Sequence, residues 1–438
     1  KRQVRVDVLD YGDLPDSYMT LLESNGPRHI INPDQPLLLG KEVDLDQDGQ
    51  PDSQAKGDDN NGIDDEDGVQ IPRMIFAGEK AILLVDVVNA TGLPAYVYGF
   101  IDWDNSGTLG DIESEISFLQ LAPGNHEDVM LMFKTPDETI IPLNQPLAAR
   151  FRIGTVQDQV STPKGFAENG EVEDYFVNVK GVDFGDLPDI QDGVSGGDYS
   201  TMKDNNGPRH GVPSSPTIFM GGEPDTEPDG LEDLLAGIDG TTGDDGDGVD
   251  DENGVKFPMF FRGEKAEVEV AFTTDQDAYL YGFIDFNYNG EFESNEIAGI
   301  KIVSGTTSSP AKLTFQVPDD AVISSLLGAR FRIGSIEQEV NTPGGLAMDG
   351  EVEDYVIRVK GLDYGDLPDE GKGTGMDNYE TLDANEGARH AIPQDPIVYL
   401  GETVDVDDDG QPVIGAGEVA GGDDGDALDG DDEDGVTK

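Results

Sequence analysis

AYVYGFI at Ala95–Ile101 runs directly into DWDNSGTLGDIE at Asp102–Glu113, and the pair returns as AYLYGFI at Ala278–Ile284 followed by DFNYNGEFESNE at Asp285–Glu296. Apolar residues at alternate positions, with aromatic enrichment, predict a β-strand with one buried face. Outward from it, strand-like runs continue on both sides: EKAILLVDVV (Glu79–Val88), DVMLMF (Asp128–Phe133), LAARFRIG (Leu147–Gly154) and DYFVNV (Asp174–Val179). The second copy offers AEVEVAF, AKLTFQV, LGARFRIG and DYVIRV at corresponding places. About seven short strands in roughly 110 residues is the size of an immunoglobulin-like sandwich. The expected fold is all-β: tandem immunoglobulin-like antiparallel sandwiches joined by acidic, irregular segments.

A second pattern sets the organisation. DYGDLPD at Asp10–Asp16 returns as DFGDLPD at Asp183–Asp189 and as DYGDLPD at Asp363–Asp369. Each opens an acidic stretch rich in Gly and Pro, which by composition alone reads as disordered. The divisions are residues 1–9 (a trailing strand of a preceding repeat, or an exchanged strand), 10–69 (acidic segment), 70–180 (sandwich), 181–255 (acidic segment), 256–361 (sandwich) and 362–438 (the acidic segment of a further repeat). Val4–Val8 matches the strands that close both complete repeats, so a segment of a longer tandem array is expected. The rival reading takes both ends as natural, the orphan strand completing a neighbouring molecule.

Composition narrows the class. Of 438 residues, 92 are acidic and 27 basic, a formal net charge of −65. Such a field repels nucleic acid and anionic membranes and attracts cations. With no cysteine and four histidines, disulfides are excluded and transition-metal sites disfavoured. No apolar run reaches membrane-spanning length.

The two loops carry the sharpest chemical signal. Asp102, Asp104, Ser106, Gly107 and Glu113 stand at positions one, three, five, six and twelve, as do Asp285, Asn287, Asn289, Gly290 and Glu296. This is the spacing of an EF-hand calcium loop: alternating oxygens, a glycine at the sharp turn and a closing bidentate carboxylate. Backbone carbonyls of Thr108 and Glu291 would supply position seven, and Leu109 and Phe292 an apolar anchor at position eight. A strand precedes each loop, so an EF-like loop in a strand connection is expected rather than a helix–loop–helix. The plain alternative is an Asn-Gly-type turn decorated with solvated carboxylates.

The acidic segments add two further constellations. DLDQDG supplies Asp44, Asp46 and Asp48; DTEPDG supplies Asp225, Glu227 and Asp229; DVDDDG supplies Asp405, Asp407 and Asp409. These resemble the loops of thrombospondin type 3 and dockerin modules. Closing each segment are Asp59, Asn61, Asp64, Asp65 and Glu66; then Asp245, Asp247, Asp250, Asp251 and Glu252; then Asp424, Asp426, Asp432 and Glu433. A solvated acidic tract is the plain alternative, against which stands a glycine register that recurs between copies. Ca²⁺, several ions per chain, is the cofactor expected.

GEVEDYFVNV at Gly170–Val179 and GEVEDYVIRV at Gly350–Val359 resemble the signature of the GEVED domain of bacterial secreted and cell-surface proteins, and the ARFRIG strands and DYGDLPD linkers are similar to what accompanies it. The resemblance implies a β-sandwich module of large extracellular, adhesin-like or matrix proteins; it implies neither an enzymatic activity nor a named ligand, and no enzyme is expected. Of the signature acids, Glu171, Glu173 and Asp174 (with Glu351, Glu353 and Asp354) face either the DYGDLPD acids across a shared cation or solvent as charges guarding an edge strand.

Other features read as structural. The Arg-His pairs of NGPRH (Asn25–His29 and Asn206–His210) and EGARH (Glu386–His390) are expected to pair with neighbouring carboxylates and pin the segment onto the sandwich. Gly193, Ser195 and Gly197 satisfy G-x-S-x-G but lack a strand before and a helix after, so no nucleophile elbow is expected. Three function classes follow: a calcium-rigidified stalk or adhesin region, with any cell-surface or matrix ligand bound outside this segment; a filament or matrix subunit assembled through strand exchange or edge contacts; and a carbohydrate-processing or carbohydrate-binding module. In the first two the partners are neighbouring repeats or copies of the chain, on the outside of a bacterial cell.

Overall fold

The structure is a computed structural model and describes residues 8–43, 45–57, 65–190, 194–231, 233, 234, 236, 252–323, 325–369, 371–375, 378–392, 398–401, 404, 406, 407 and 410. It is all-β, with helix confined to single turns such as Gln157–Val160 and Glu337–Val340. The chain divides into two compact units, Lys1–Val182 and Asp183–Lys438.

In the first unit, Lys80–Asn89 is the middle strand of one sheet. It pairs antiparallel with Gly124–Lys134 on one side, and with Leu37–Leu39 and Val69–Gln70 on the other. The facing sheet runs in the order Glu171–Phe184, Pro146–Gly154, Ala95–Ile101, Ile116–Leu121, all antiparallel, with Ile75–Phe76 added parallel to the first. Alternate residues point inward from both sheets. Leu83, Val85, Leu131 and Phe133 from one, and Val97, Leu147, Ala149, Phe151, Ile153 and Val177 from the other, make one dry core. This is a β-sandwich. Ile153→Val removes one methyl group from this core, where Ile153 is fully buried. It should cost about 0.5–1.5 kcal/mol in chemical denaturation; a loss above about 3 kcal/mol would show that the packing is wrongly described.

The second unit repeats the plan. Val255–Lys256, Lys265–Val270 and Ala311–Gln316 form one sheet, and Ile297–Ile302, Ala278–Ile284, Leu327–Gly334 and Glu351–Ile357 the other. Phe283 and Phe331 are fully buried, and Val268, Leu313 and Phe331 belong to its core.

The ARFRIG strand was read as half-buried, yet Leu147–Gly154 is buried throughout. Its outer face, Ala148, Arg150 and Arg152, is covered by the first acidic segment. Leu14 and Ala55 of that segment pack with Phe100, Ala148 and Ala167 in a second, smaller core, against which Tyr18 also lies. The acidic stretch, wherever it is described, is a third layer and not a solvated tract.

Buried arginines hold that layer. The Arg150 guanidinium donates from Nε and Nη2 to both oxygens of Asp174 at 2.7 Å, and from Nη1 to the Tyr18 and Pro163 carbonyls. Asp174 Oδ2 also accepts the Asp13 and Leu14 amides, each at 2.8 Å. Arg330 and Asp354 repeat this in the second unit, with Leu187 N at 2.9 Å. Asp174 therefore does face the DYGDLPD motif, but an arginine and two amides occupy it. The glycine of that motif is required by close approach: a Cβ on Gly12 would lie 2.4 Å from Asp174 Oδ2, and one on Gly185 2.4 Å from Asp354 Oδ2. The glycine of GEVED answers a different need. Gly170 and Gly350 sit at φ +97° and +94°, and a Cβ there would meet the Ile153 or Ile333 carbonyl at 1.8 Å.

The histidines differ from expectation in their partner. His29 is fully buried. Its Nε2 accepts from Arg152 Nε at 3.1 Å and its Nδ1 lies 3.0 Å from the Asn169 carbonyl. His210 stands likewise between Arg332 (3.0 Å) and the Asp349 carbonyl (2.8 Å). Each histidine pins the segment to the sandwich as foreseen, through an arginine rather than a carboxylate. Arg28 donates to its own turn, at the Gly26 carbonyl. In the last copy Arg389 does pair with carboxylates, Glu264 at 2.7 Å and Asp383 at 2.8 Å.

Candidate metal centre

Each EF-like loop opens where its strand stops. Asp102 follows Ala95–Ile101, and its amide still donates to the Ala148 carbonyl at 2.9 Å, so the first carboxylate is fixed to the sheet and fully buried. The chain then turns through Asn105 and Gly107 at φ +52° and +83°. Asp102 Oδ1 accepts from Ser106 N at 2.9 Å; its Oδ2 accepts from Gly107 N at 2.9 Å and from the Tyr18 hydroxyl at 2.7 Å. Asp104 accepts Ser106 N at 3.0 Å. The Ser106 hydroxyl bridges weakly to Asp102 and to the Thr108 carbonyl, both at 3.4 Å.

The closing carboxylate is Glu115, two residues beyond the position that spacing assigned to Glu113. Its Oε2 accepts the Gly110 and Asp111 amides at 2.8 and 3.1 Å, while its Oε1 is buried with no hydrogen-bond partner. One oxygen each from Asp102, Asp104 and Glu115 lie within 4.8 Å of one another. The Glu113 side chain lies outside the described residues. Glu115 immediately precedes the strand Ile116–Leu121, just as Glu296 precedes Ile297–Ile302. The strand start, not the count from the glycine, sets the equivalence.

In the second loop Asp285 accepts Asn289 N (3.1 Å), Gly290 N (2.9 Å) and the Tyr199 hydroxyl (3.0 Å). Glu296 accepts the Phe286, Asn287 and Glu293 amides at 2.8, 3.3 and 2.9 Å. The Asn287 and Asn289 side chains turn to Glu293 at 3.2 and 2.6 Å, and Glu291 is exposed. Two of the predicted oxygens, Asp285 and Glu296, are therefore buried at this loop. Tyr18 and Tyr199, which steady the first carboxylates, were missed; the available signal was a tyrosine eleven residues before the histidine in every copy, Tyr379 included.

Burial pushes Glu115 up to about 8, with Asp111 beside it adding to the rise, and pushes Glu296 up to about 8, aided by Glu293. Asp102 and Asp285 are raised as well, burial again outweighing the amide and tyrosine hydrogen bonds. Desolvated carboxylates of this kind are stabilised by a proton or by a cation. The donors are all oxygen, which suits a hard divalent ion such as Ca²⁺, and the orphaned Glu115 Oε1 is a free ligand atom.

Several of the remaining predicted acids accept hydrogen bonds within the acidic layer or from the strands beside it. Asp46 bridges to Leu9, and its Oδ1 accepts from Gln50 at 2.7 Å. Asp48 accepts Leu22 N at 2.6 Å and Asp229 accepts Lys203 N at 2.7 Å, so each fastens a short turn. Glu227 and Asp407 accept the amides of Phe184 and Tyr364, at 3.0 and 2.8 Å. Asp225 is described, but no ligand group forms around it among the described residues. Asp65 and Glu252 are buried and Glu66 is half-buried. Asp44, Asp59, Asn61, Asp64, Asp245, Asp247, Asp250, Asp251, Asp405, Asp409, Asp424, Asp426, Asp432 and Glu433 lie outside the described residues.

The sequence profile of the GEVED domain matches residues 96–178 and 279–358, from the strand before each loop to the signature strand. Two stretches of the chain, one in each unit, are thus similar to the GEVED domain. No curated protein matches it. Among solved structures it is similar to a red sea bream transglutaminase at 10% identity, over 66% of this chain and 30% of that one, with a TM-score of 0.19. It is also similar to CBD12 from CALX1.2, at 10% identity over 58% and 73% of the two chains, TM-score 0.15. At such scores neither likeness bears on the fold or the function of this chain. Among the described residues, no helix is long and apolar enough to cross a membrane.

Proposed function

We propose that this chain is a calcium-binding structural region of an extracellular bacterial surface protein, a stalk or adhesin segment of repeated GEVED domains with no catalytic role. The observation that carries this reading is the Asp102–Asp104–Glu115 group, with a buried, unpartnered Glu115 oxygen closing a loop whose first half has EF-hand spacing. Tyr18 of the acidic layer holds Asp102, so an ion there stiffens the layer together with the sandwich. Its partners are neighbouring repeats or copies of itself.

Extracellular calcium sites bind at about 10⁻⁴–10⁻³ M, so millimolar calcium contributes roughly 0.4–1.4 kcal/mol per site. Scanning calorimetry of the full chain should show a higher Tm in calcium than in chelator, and Glu115→Gln should lose part of that rise. An identical Tm in both solutions would reject the proposal. A filament or matrix subunit is the second reading, favoured by Ile82, Met130 and Met132, which are exposed together on one sheet face, Ile82 opposite Met132 in the ladder. Regular fibres in electron micrographs of the native protein would favour it over isolated rods.

A further inference from the structure

The outer faces of the two equivalent sheets differ. In the first unit the side chains that alternate away from the core are Lys80, Ile82, Leu84 and Asp86 on one strand, and Lys134, Met132, Met130 and Asp128 on its antiparallel neighbour. Lys80 stands opposite Lys134, Ile82 opposite Met132 and Leu84 opposite Met130. Ile82, Met130 and Met132 are 41%, 56% and 57% exposed, and the half-buried Leu84 continues the patch. In the second unit the same levels of the ladder carry Lys265 opposite Gln316, Glu267 opposite Thr314 and Glu269 opposite Lys312. There Lys312 reaches Glu267 at 2.8 Å and Glu269 at 3.8 Å, an ion-paired face turned to solvent.

The fold therefore does not require apolar side chains at these positions. The inner side of the two sheets is alike, Leu83, Leu131 and Phe133 in one and Val268, Leu313 and Phe315 in the other. Only the outer side changes. Contiguous exposed apolar side chains rimmed by charge mark an interaction surface, and methionine supplies contact area that adapts to what it meets.

The charges at the two ends of the patch indicate what covers it. Two lysines close one end, and like charges directly opposite each other cost stability in a bare sheet. Two aspartates close the other. Asp86 Oδ1 accepts the Asp128 amide at 2.8 Å, and Asp128 Oδ1 accepts from Gln70 at 3.3 Å. A face that is positive at one end, apolar in the middle and negative at the other is complementary to itself.

We propose that this face is a self-association surface, on which a second copy of the chain packs its own first repeat face to face, strands antiparallel. A two-fold axis lying across the strands sets Lys80 against Asp86 and Lys134 against Asp128 of the other copy, with Ile82 over Leu84 and Met132 over Met130. The apolar side chains then form a shared layer of the kind that joins two sheets in a sandwich. The proposal rests on the filament reading only in taking a copy of the chain as partner; it needs neither bound calcium nor an exchanged strand.

The test is sedimentation of the full chain over a concentration series. Chains of net charge −65 repel one another at long range, so the series is run at about 0.15 M salt, where screening acts beyond about 8 Å. The weight-average mass should rise with concentration towards that of a dimer. Ile82→Glu with Met130→Lys installs the second unit's Glu267–Lys312 pair, leaves the net charge unchanged and uses residues that this fold already carries at those positions. It should raise the dissociation constant about tenfold or more. A parent that stays monomeric throughout, or a variant that associates as tightly as the parent, overturns the proposal. Orientation is read separately, because the chain has no cysteine of its own. Lys80→Cys and Asp86→Cys copies should be joined by a short bis-maleimide when mixed, and neither should be joined to itself. Joining of Lys80→Cys copies to one another overturns the antiparallel packing. A filament built through edges or exchanged strands would still give fibres from the Ile82→Glu/Met130→Lys variant, so failure of this face and failure of the filament reading are told apart.

Discussion

Asp174→Ala is expected to destabilise the first repeat by about 3–5 kcal/mol. Asp174 and Arg150 are both wholly buried, and Asp174 accepts four hydrogen bonds: two from Arg150 at 2.7 Å and those of the Asp13 and Leu14 amides at 2.8 Å. Removing the carboxylate leaves a guanidinium without its counter-charge in a dry interior and two amides without acceptors, each with its own desolvation penalty. The measurement is denaturant unfolding of the full chain, followed for the first repeat through Trp103. A loss below about 1 kcal/mol would mean that Arg150 finds another anion or reaches water. The mechanism has a second signature: replacing both partners with apolar residues, Arg150→Met with Asp174→Leu, should cost less than Asp174→Ala alone. What the single change breaks is an uncompensated charge, not an attraction of equal size. The equivalent change in the second repeat, Asp354→Ala, should reproduce the effect, because Arg330 is held in the same way.

The strands of the sandwiches were legible because alternation is a strong signal wherever one face meets water. AYVYGFI and EKAILLVDVV became strands as read. It failed at LAARFRIG, where Arg150 and Arg152 occupy polar positions of a correct alternation yet face a covering layer. Nothing in an arginine's identity tells solvent from a buried carboxylate. The acidic layer was illegible for a related reason. Its average hydropathy is that of a disordered chain, but a few residues, Leu14, Tyr18 and Ala55, pack in its core, and carboxylates such as Asp10, Asp13 and Asp48 accept backbone amides. At the loop, counting from the glycine is reliable only if the closing turn has fixed length. The first copy inserts two residues there, so the position set by the strand falls to Glu115. The histidine partner was missed because a net charge of −65 makes a carboxylate the obvious neighbour, whereas local geometry supplied Arg152.

That histidine makes acid sensitivity the second large effect. His29 and His210 are wholly buried, and burial, then Arg152 or Arg332 at hydrogen-bond distance, holds each imidazole's pKa well below its usual value. The folded state therefore keeps a neutral ring where the unfolded chain, at about 6.5, already takes up a proton. The unfolded state binds more protons, so the stability due to this group is fully present above about pH 6.5 and declines as pH falls below it. The decline is about 1.4 kcal/mol per pH unit for each histidine. Carboxylates such as Glu115, raised in the folded state, act in the opposite direction over the same range, so the slope of the parent chain alone does not isolate the histidine. The comparison with His29→Gln does: Gln offers an amide oxygen to Arg152 and does not titrate. Between about pH 6.5 and 5 the parent's first repeat should lose stability more steeply than the variant's, by about 1.4 kcal/mol per unit. Parallel curves would mean that His29 is already protonated when folded, which the Arg152 Nε–H directed at its Nε2 forbids.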